Sequence, residues 1–192
     1  MRIRAAIFDL DGTVVENAYD WAAIRRELGD GGLSILAYLD GLEEPERSRK
    51  WAILERHEAE QTARSVLREG MRELLDFLKA RGVRTALVTN NSRPNAAYLL
   101  GKFGLAFDRV TTRESGLWKP TGAPFRDVLE AFGASPEEAC VIGDTRFDIL
   151  AAQDAGVGSI FILGQDPGLF EGLPVEVFSG LPLLLRRLEG LF

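Results

Sequence analysis

Residues 5–13 read Ala-Ala-Ile-Phe-Asp-Leu-Asp-Gly-Thr, a short apolar run that ends in the carboxylates of Asp9 and Asp11 and then in Gly12. Ionised carboxylates resist leaving water unless a cation or hydrogen-bond donors compensate them, so a buried strand ending in paired acids asks for a partner. The run therefore predicts a strand whose carboxyl end serves a magnesium-dependent acid pair. Asp-Gly is also a common turn dipeptide, and Asp9 as the mere point where a strand meets solvent is the competing reading. A hairpin version of that reading is weakened by Tyr19 to Leu28, whose apolar spacing is helical and not alternating.

Farther along, strand and helix alternate. The spacing predicts an amphipathic helix over Met71 to Arg81 closed by Gly82, a strand over Val83 to Thr89, a helix over Asn95 to Phe103 and a short strand over Arg109 to Thr112. A helix over Pro124 to Phe132, a strand over Ala139 to Ile142, and a helix over Arg146 to Ala155 ended by Gly156 follow. Ser159 to Leu163 and Val175 to Phe178 read as strands, and Leu181 to Leu188 as a terminal helix. This β-α-β order predicts an α/β fold with a parallel sheet covered on both faces, in which ligands bind at the carboxyl ends of the strands.

The stretch from Glu16 to Glu69 is different. It reads as helical throughout, with Tyr19 to Leu28, Leu33 to Leu39 and a charged run from Glu44 to Leu67, punctuated by Gly29, Gly31, Gly32 and Gly41. The shift in composition marks an all-helical insertion, a cap candidate. Arg47, Arg49, Lys50, Arg56, His57 and Arg64 among its glutamates read as a solvated helix face.

Composition sets the outer bounds. The 192 residues, 46% of them hydrophobic, suffice for one substantial core or a core with a smaller insertion. A net charge of -6 argues against nonspecific binding to nucleic acid or to an acidic membrane surface. Cys140, the single cysteine, sits in an apolar run and reads as an inert buried thiol. Met1-Arg2-Ile3-Arg4 begins no signal-peptide pattern, and no run of about 18 apolar residues occurs, so a cytoplasmic location is expected. No internal repeat is visible.

If the parallel sheet is right, polar residues should gather where strands end. Asp9 ends the first strand. Thr89-Asn90-Asn91-Ser92, followed by Arg93-Pro94, ends the strand from Val83, and the Thr89 hydroxyl with the amides at that helix start could cradle a phosphate; N-capping by Asn91 or Ser92 is compatible with this. Gly143-Asp144-Thr145-Arg146-Phe147-Asp148 forms the third strand end, where Thr145 and Asp148 resemble a capping box while Asp144 is left unexplained by capping. Asp9, Asp11, Asp144 and Asp148 in one crevice would repel one another enough to require a cation, and hard oxygen ligands suit Mg²⁺ better than zinc. Lys119, one of few lysines beside Lys50, Lys79 and Lys102, could neutralise a carboxylate and a phosphate oxygen together.

In this order, Asp9-Leu10-Asp11-Gly12-Thr13, Thr89-Asn90, Lys119-Pro120 and Gly143 to Asp148 resemble the motifs of the haloacid dehalogenase-like superfamily, over nearly the whole chain. The likeness is greatest to its phosphoglycolate phosphatase and β-phosphoglucomutase-like branch, and the run Asp148 to Gly156 supports the same branch. It implies a Rossmann-like doubly wound parallel core of residues 1–16 and 70–192 with a small helical cap at 17–69. It implies further that Asp9 is a nucleophile forming an aspartyl-phosphate and Asp11 the acid and base. Mg²⁺ would be held by Asp9, the Asp11 main-chain carbonyl and Asp144, with Asp148 supporting from behind. Thr89, the Asn90 amide and Lys119 would stabilise the transferring phosphoryl group of a small phosphorylated metabolite. A phosphatase is the favoured expectation, a sugar phosphomutase the second and a non-catalytic binding protein the third. The insertion is short for this branch, and Gly122 stands where a second proline often follows Lys-Pro, so Arg25, Arg47, Lys50 and His57 are not assigned as substrate contacts.

Overall fold

The computed structural model describes residues 3–29, 32 and 34–191. The expected break at Gly31, the expected helix start at Leu33, and Met1 and Arg2 of the N-terminal reading lie outside the described residues. The chain separates into two compact units, Met1–Glu16 with Leu67–Phe192, and Asn17–Val66.

The first unit opens with β1 (Ala5–Phe8) and the short β2 (Val15–Glu16). The second holds α1 (Trp21–Leu28), α2 (Ile35–Asp40) and α3 (Glu46–Arg64). Asp20 and Ser34 cap α1 and α2 with side-chain oxygens that accept from Ala23 N at 2.8 Å and Ala37 N at 3.3 Å. Within this unit Glu27 of α1 bonds Arg56 at 2.5 Å and His57 at 2.8 Å on α3, and Lys50 donates to the Leu28 carbonyl and, at 2.9 Å, to the Tyr38 hydroxyl. Several charges read from sequence as a solvated face thus tie the helices to one another.

The chain then forms β3 (Val66–Leu67), which pairs with β2 in a two-stranded sheet, where the sequence reads as helix up to Leu67. Two residues are too few to carry a period, and α3 stops at Arg64 with the Ser65 hydroxyl turned back onto the Gln61 carbonyl at 2.9 Å. The first unit resumes at Leu67, three residues before the expected position 70, because Leu67 packs against the core layer that holds Met71 and Leu74.

The remaining elements are α4 (Met71–Ala80), β4 (Arg84–Val88), α5 (Arg93–Phe103), β5 (Arg109–Thr111), α6 (Ala123–Phe132), β6 (Ala139–Gly143), α7 (Arg146–Asp154), β7 (Ser159–Leu163), β8 (Glu176–Phe178) and α8 (Leu181–Glu189). Six strands form one parallel sheet in the order β5-β4-β1-β6-β7-β8. Alternation along each strand feeds two apolar layers, which is the period-2 rule of a sheet buried on both faces. Ala6, Phe8, Leu87, Cys140 and Ile142 meet α4, α5 and α8, whereas Ala5, Ile7, Ala86, Val88, Val141 and Ile162 meet α6 and α7. Helices therefore change face where the chain order reverses around β1, the doubly wound, Rossmann-like arrangement. A ligand crevice is expected there, at the strand carboxyl ends between β1 and β6.

Cys140 is fully buried in β6, and burial pushes its thiol up to about 12. The folded protein is therefore expected to leave a disulfide-exchange reagent such as DTNB unreacted at pH 8, with one thiol released in denaturant. A reactive native thiol would contradict this burial. No helix among the described residues is long and apolar enough to cross a membrane.

Candidate active site

The site follows from strand register. Phe8 of β1 sits level with Leu87 of β4 and with Ile142 of β6, so the residues just beyond these three positions emerge side by side although they are far apart in sequence. Asp9 continues the ladder, its N–H donating to the Ile142 carbonyl at 2.9 Å. Thr89 does likewise on the other side, donating to Thr111 at 3.0 Å.

Lys119 occupies the centre of the charge cluster. It is 3% exposed, and its Nζ lies 2.6 Å from Asp9 Oδ1 and 2.6 Å from Asp148 Oδ1. The main chain on either side is fixed by Asn90, whose Oδ1 accepts from Lys119 N at 2.9 Å and whose Nδ2 donates to the Lys119 carbonyl at 2.8 Å. That reciprocal pair ties the loop before α6 to the loop after β4. Gly122, the departure noted in the sequence, donates its N–H to Asp154 Oδ2 at 2.6 Å, a bond that proline could not make.

Asp148 does more than cap a helix. Its Oδ2 accepts from Thr145 N at 3.0 Å and Thr145 Oγ1 at 2.8 Å, the capping-box geometry, while Oδ1 takes the Lys119 ammonium. Asp9, Asp144 and Asp148 bring carboxylate oxygens within 4.8 Å of one another. The Asp11 carboxylate is not in that group; its Oδ2 accepts from Asn91 Nδ2 at 2.9 Å. Expected behind the ligands, Asp148 thus enters the cluster itself.

The electrostatics are strained toward a cation. Burial raises the Asp9 carboxyl to about 7, with the Lys119 charge pulling it down and the charges of Asp148 and Asp11 pushing it up. Asp144 is held well above the ordinary carboxylate range, first by burial and then by Asp9 and Asp148. Burial alone would depress Lys119, but Asp148 and Asp9 outweigh it and keep its ammonium above the ordinary lysine value. Three carboxylates around one ammonium, Asp9 and Asp148 buried and Asp144 partly so, would carry net negative charge when ionised, and a hard cation fits that deficit.

The loop after Asp11 is also built for close approach. Gly12 has φ +83°, and a Cβ there would lie 2.0 Å from Asp144 Oδ2, so the position excludes a side chain on both counts. Thr13 Oγ1 lies 3.4 Å from Asp144 Oδ1. Arg68, not singled out in the sequence, donates Nε to the Thr13 carbonyl at 3.1 Å and Nη2 to the Gly12 carbonyl at 2.5 Å, and its N–H goes to Val14 at 3.1 Å. No local pattern marks Arg68, whereas Asn91 lay inside the polar run after Thr89, where Ser92 proves to be the α5 cap, accepting from Asn95 N at 3.4 Å.

Comparison with known proteins accords with this geometry. A family model described as a haloacid dehalogenase-like hydrolase matches residues 3–156. Phosphoglycolate phosphatase 1 of Pseudomonas aeruginosa is 30% identical over 182 residues, covering 80% of this chain and 67% of that protein. The phosphoglycolate phosphatase of Aquifex aeolicus is 28% identical over 183 residues, covering 84% of this chain and 85% of its own. Among solved structures, a hydrolase from Pseudomonas syringae matches with a TM-score of 0.79 at 22% identity, covering 97% of this chain and 98% of the other. A superfamily hydrolase of subfamily IA, variant 1, from Geobacter sulfurreducens matches at 0.65 and 27% identity, covering 99% and 100%. With the motif order, the sheet and the buried acid cluster in place, the chain belongs to the haloacid dehalogenase-like hydrolase family.

Proposed function

We propose that the chain is a Mg²⁺-dependent phosphatase of small phosphomonoesters that works through an aspartyl-phosphate on Asp9. The observation that carries this reading is the buried Asp9 carboxylate at the end of the central strand, 2.6 Å from the Lys119 ammonium, with a second acid two residues on. The relatives named phosphoglycolate phosphatase support the substrate class.

In this reading an Asp9 oxygen attacks phosphorus, and the bond from phosphorus to the substrate's alcohol oxygen breaks. Asp11 gives its proton to the departing oxygen. It then takes a proton from the water that attacks the phosphoaspartate, which returns Asp9 and releases phosphate. Thr89 Oγ1 accepts from Asn91 N at 3.0 Å, and its own hydroxyl proton would be donated to a phosphoryl oxygen. The Asn90 N–H and Lys119 add donors of the same sign. Asp9, Asp144 and the Asp11 main-chain carbonyl would hold Mg²⁺, supported by Asp148, and the ion would supply charge neutralisation for the phosphoryl oxygens. The helical insertion is assigned the role of a cap that selects the substrate.

The test is release of inorganic phosphate from a panel of phosphorylated metabolites that includes 2-phosphoglycolate and p-nitrophenyl phosphate. Release is expected with Mg²⁺ and only background in EDTA. Metal-independent release, or isomerisation of a sugar phosphate that outpaces phosphate release, would overturn the assignment.

A further inference from the structure

We infer that Asn91 is a positioning residue that aims the Asp11 carboxyl group at the oxygen of the leaving group. The inference rests on the acid role proposed above for Asp11. Asn91 is 4% exposed at the start of the turn between β4 and α5. Its amide orientation is not arbitrary. One end accepts from the Ser92 N–H at 2.7 Å, and a backbone N–H can only donate, so that end is Oδ1. The same oxygen accepts from Asn95 Nδ2 at 3.0 Å. The opposite end is therefore the NH₂ group, and it meets Asp11 Oδ2 at 2.9 Å.

A carboxyl oxygen that accepts an amide N–H cannot carry the acidic proton along that direction. Asn91 thus holds Oδ2 as an acceptor and, with it, the orientation of the whole Asp11 carboxyl group. Two further contacts keep the loop from relaxing when the amide is altered: Asp11 forms a bridge with Val15, and Arg68 holds the Gly12 and Thr13 carbonyls. The loss on changing Asn91 should therefore fall on the aim of the side chain rather than on the path of the loop. Aim matters because a misplaced acid loses most of its effect on a barrier while binding is unchanged.

General-acid help is needed in proportion to how poor the leaving group is, which separates this role from a structural one. Phenyl phosphate and p-nitrophenyl phosphate have similar shape, but p-nitrophenolate departs with little need of a proton. Asn91→Ala is expected to lower kcat/KM for phenyl phosphate by on the order of 10- to 100-fold and for p-nitrophenyl phosphate by less than about threefold. Asn91→Asp, nearly isosteric, keeps an acceptor for Ser92 and Asn95 but turns an oxygen toward Asp11, and should show at least the same bias. Asp11→Asn should show the bias most strongly. An equal loss on both substrates in both Asn91 variants, or no loss in either, while Asp11→Asn keeps its bias, overturns the role of Asn91 and leaves the acid role of Asp11 standing. Absence of the bias in Asp11→Asn overturns the acid role itself, and the Asn91 inference with it.

Discussion

Asp9→Asn is expected to reduce phosphate release by on the order of 10⁵-fold, since removal of a nucleophile leaves only the binding and electrostatic parts of catalysis. The substitution is close to isosteric, and an asparagine Oδ1 can still accept from the Lys119 ammonium that lies 2.6 Å from Asp9 Oδ1. Stability should respond in the opposite sense to activity. Asp9 is one of three carboxylates crowded within 4.8 Å, and its charge is opposed by burial first of all. In EDTA, therefore, the melting temperature of Asp9→Asn should not fall below that of the parent. Added MgCl₂ should raise the parent's melting temperature more than the variant's, because a ligand bound to the folded state stabilises in proportion to its affinity. Turnover near the parental rate in Asp9→Asn would remove Asp9 from the reaction. A large fall in metal-free stability would show instead that the Asp9 charge is needed to hold the fold.

The parallel sheet was legible because its signals are local. Strand runs such as Ala5–Phe8 and Ser159–Leu163, and helix ends such as Gly156 after Ala155, state their structure within a few residues. The polar strand ends were legible for the same reason, since a carboxylate after a buried run is anomalous wherever it occurs. What joins those ends is not local. The bond from Asn91 to Asp11 spans 80 residues, and the Lys119 to Asp148 pair spans 29, and neither leaves a periodic trace. Asp148 shows the difference within one side chain. Its Oδ2 makes the capping bond from Thr145 N that Thr145-x-x-Asp148 spelled out, while its Oδ1 holds Lys119, a partner from the loop before α6. Arg68 was missed altogether because its guanidinium binds main-chain carbonyls, and any residue type supplies those.

Lys119→Met is expected to lower the unfolding free energy by about 3–5 kcal/mol in EDTA at pH 8, the cost of leaving a buried charge without its partner. Methionine has nearly the length of lysine, so lost packing is the smaller part of the change. What is lost is the ammonium between Asp9 and Asp148, both buried and both bonded to it at 2.6 Å. Lys119→Arg should not rescue either stability or turnover. A planar guanidinium is broader than an ammonium, and a side chain that is 4% exposed has no room in which to turn it. Asp148→Asn supplies the discriminating arm. Asparagine retains an acceptor for Lys119 or Thr145, so the single variant should lose less than Lys119→Met. In the Lys119→Met background, removing the Asp148 charge should recover part of the lost stability, a coupling that urea unfolding of the four proteins measures directly. Additive losses in that cycle would mean that Lys119 and Asp148 do not depend on each other. Activity separates the two roles of the lysine: Lys119→Met/Asp148→Asn should stay slower than the parent by on the order of 10²- to 10³-fold even where its stability is partly restored, because no neutralised carboxylate replaces the positive charge owed to the phosphoryl group.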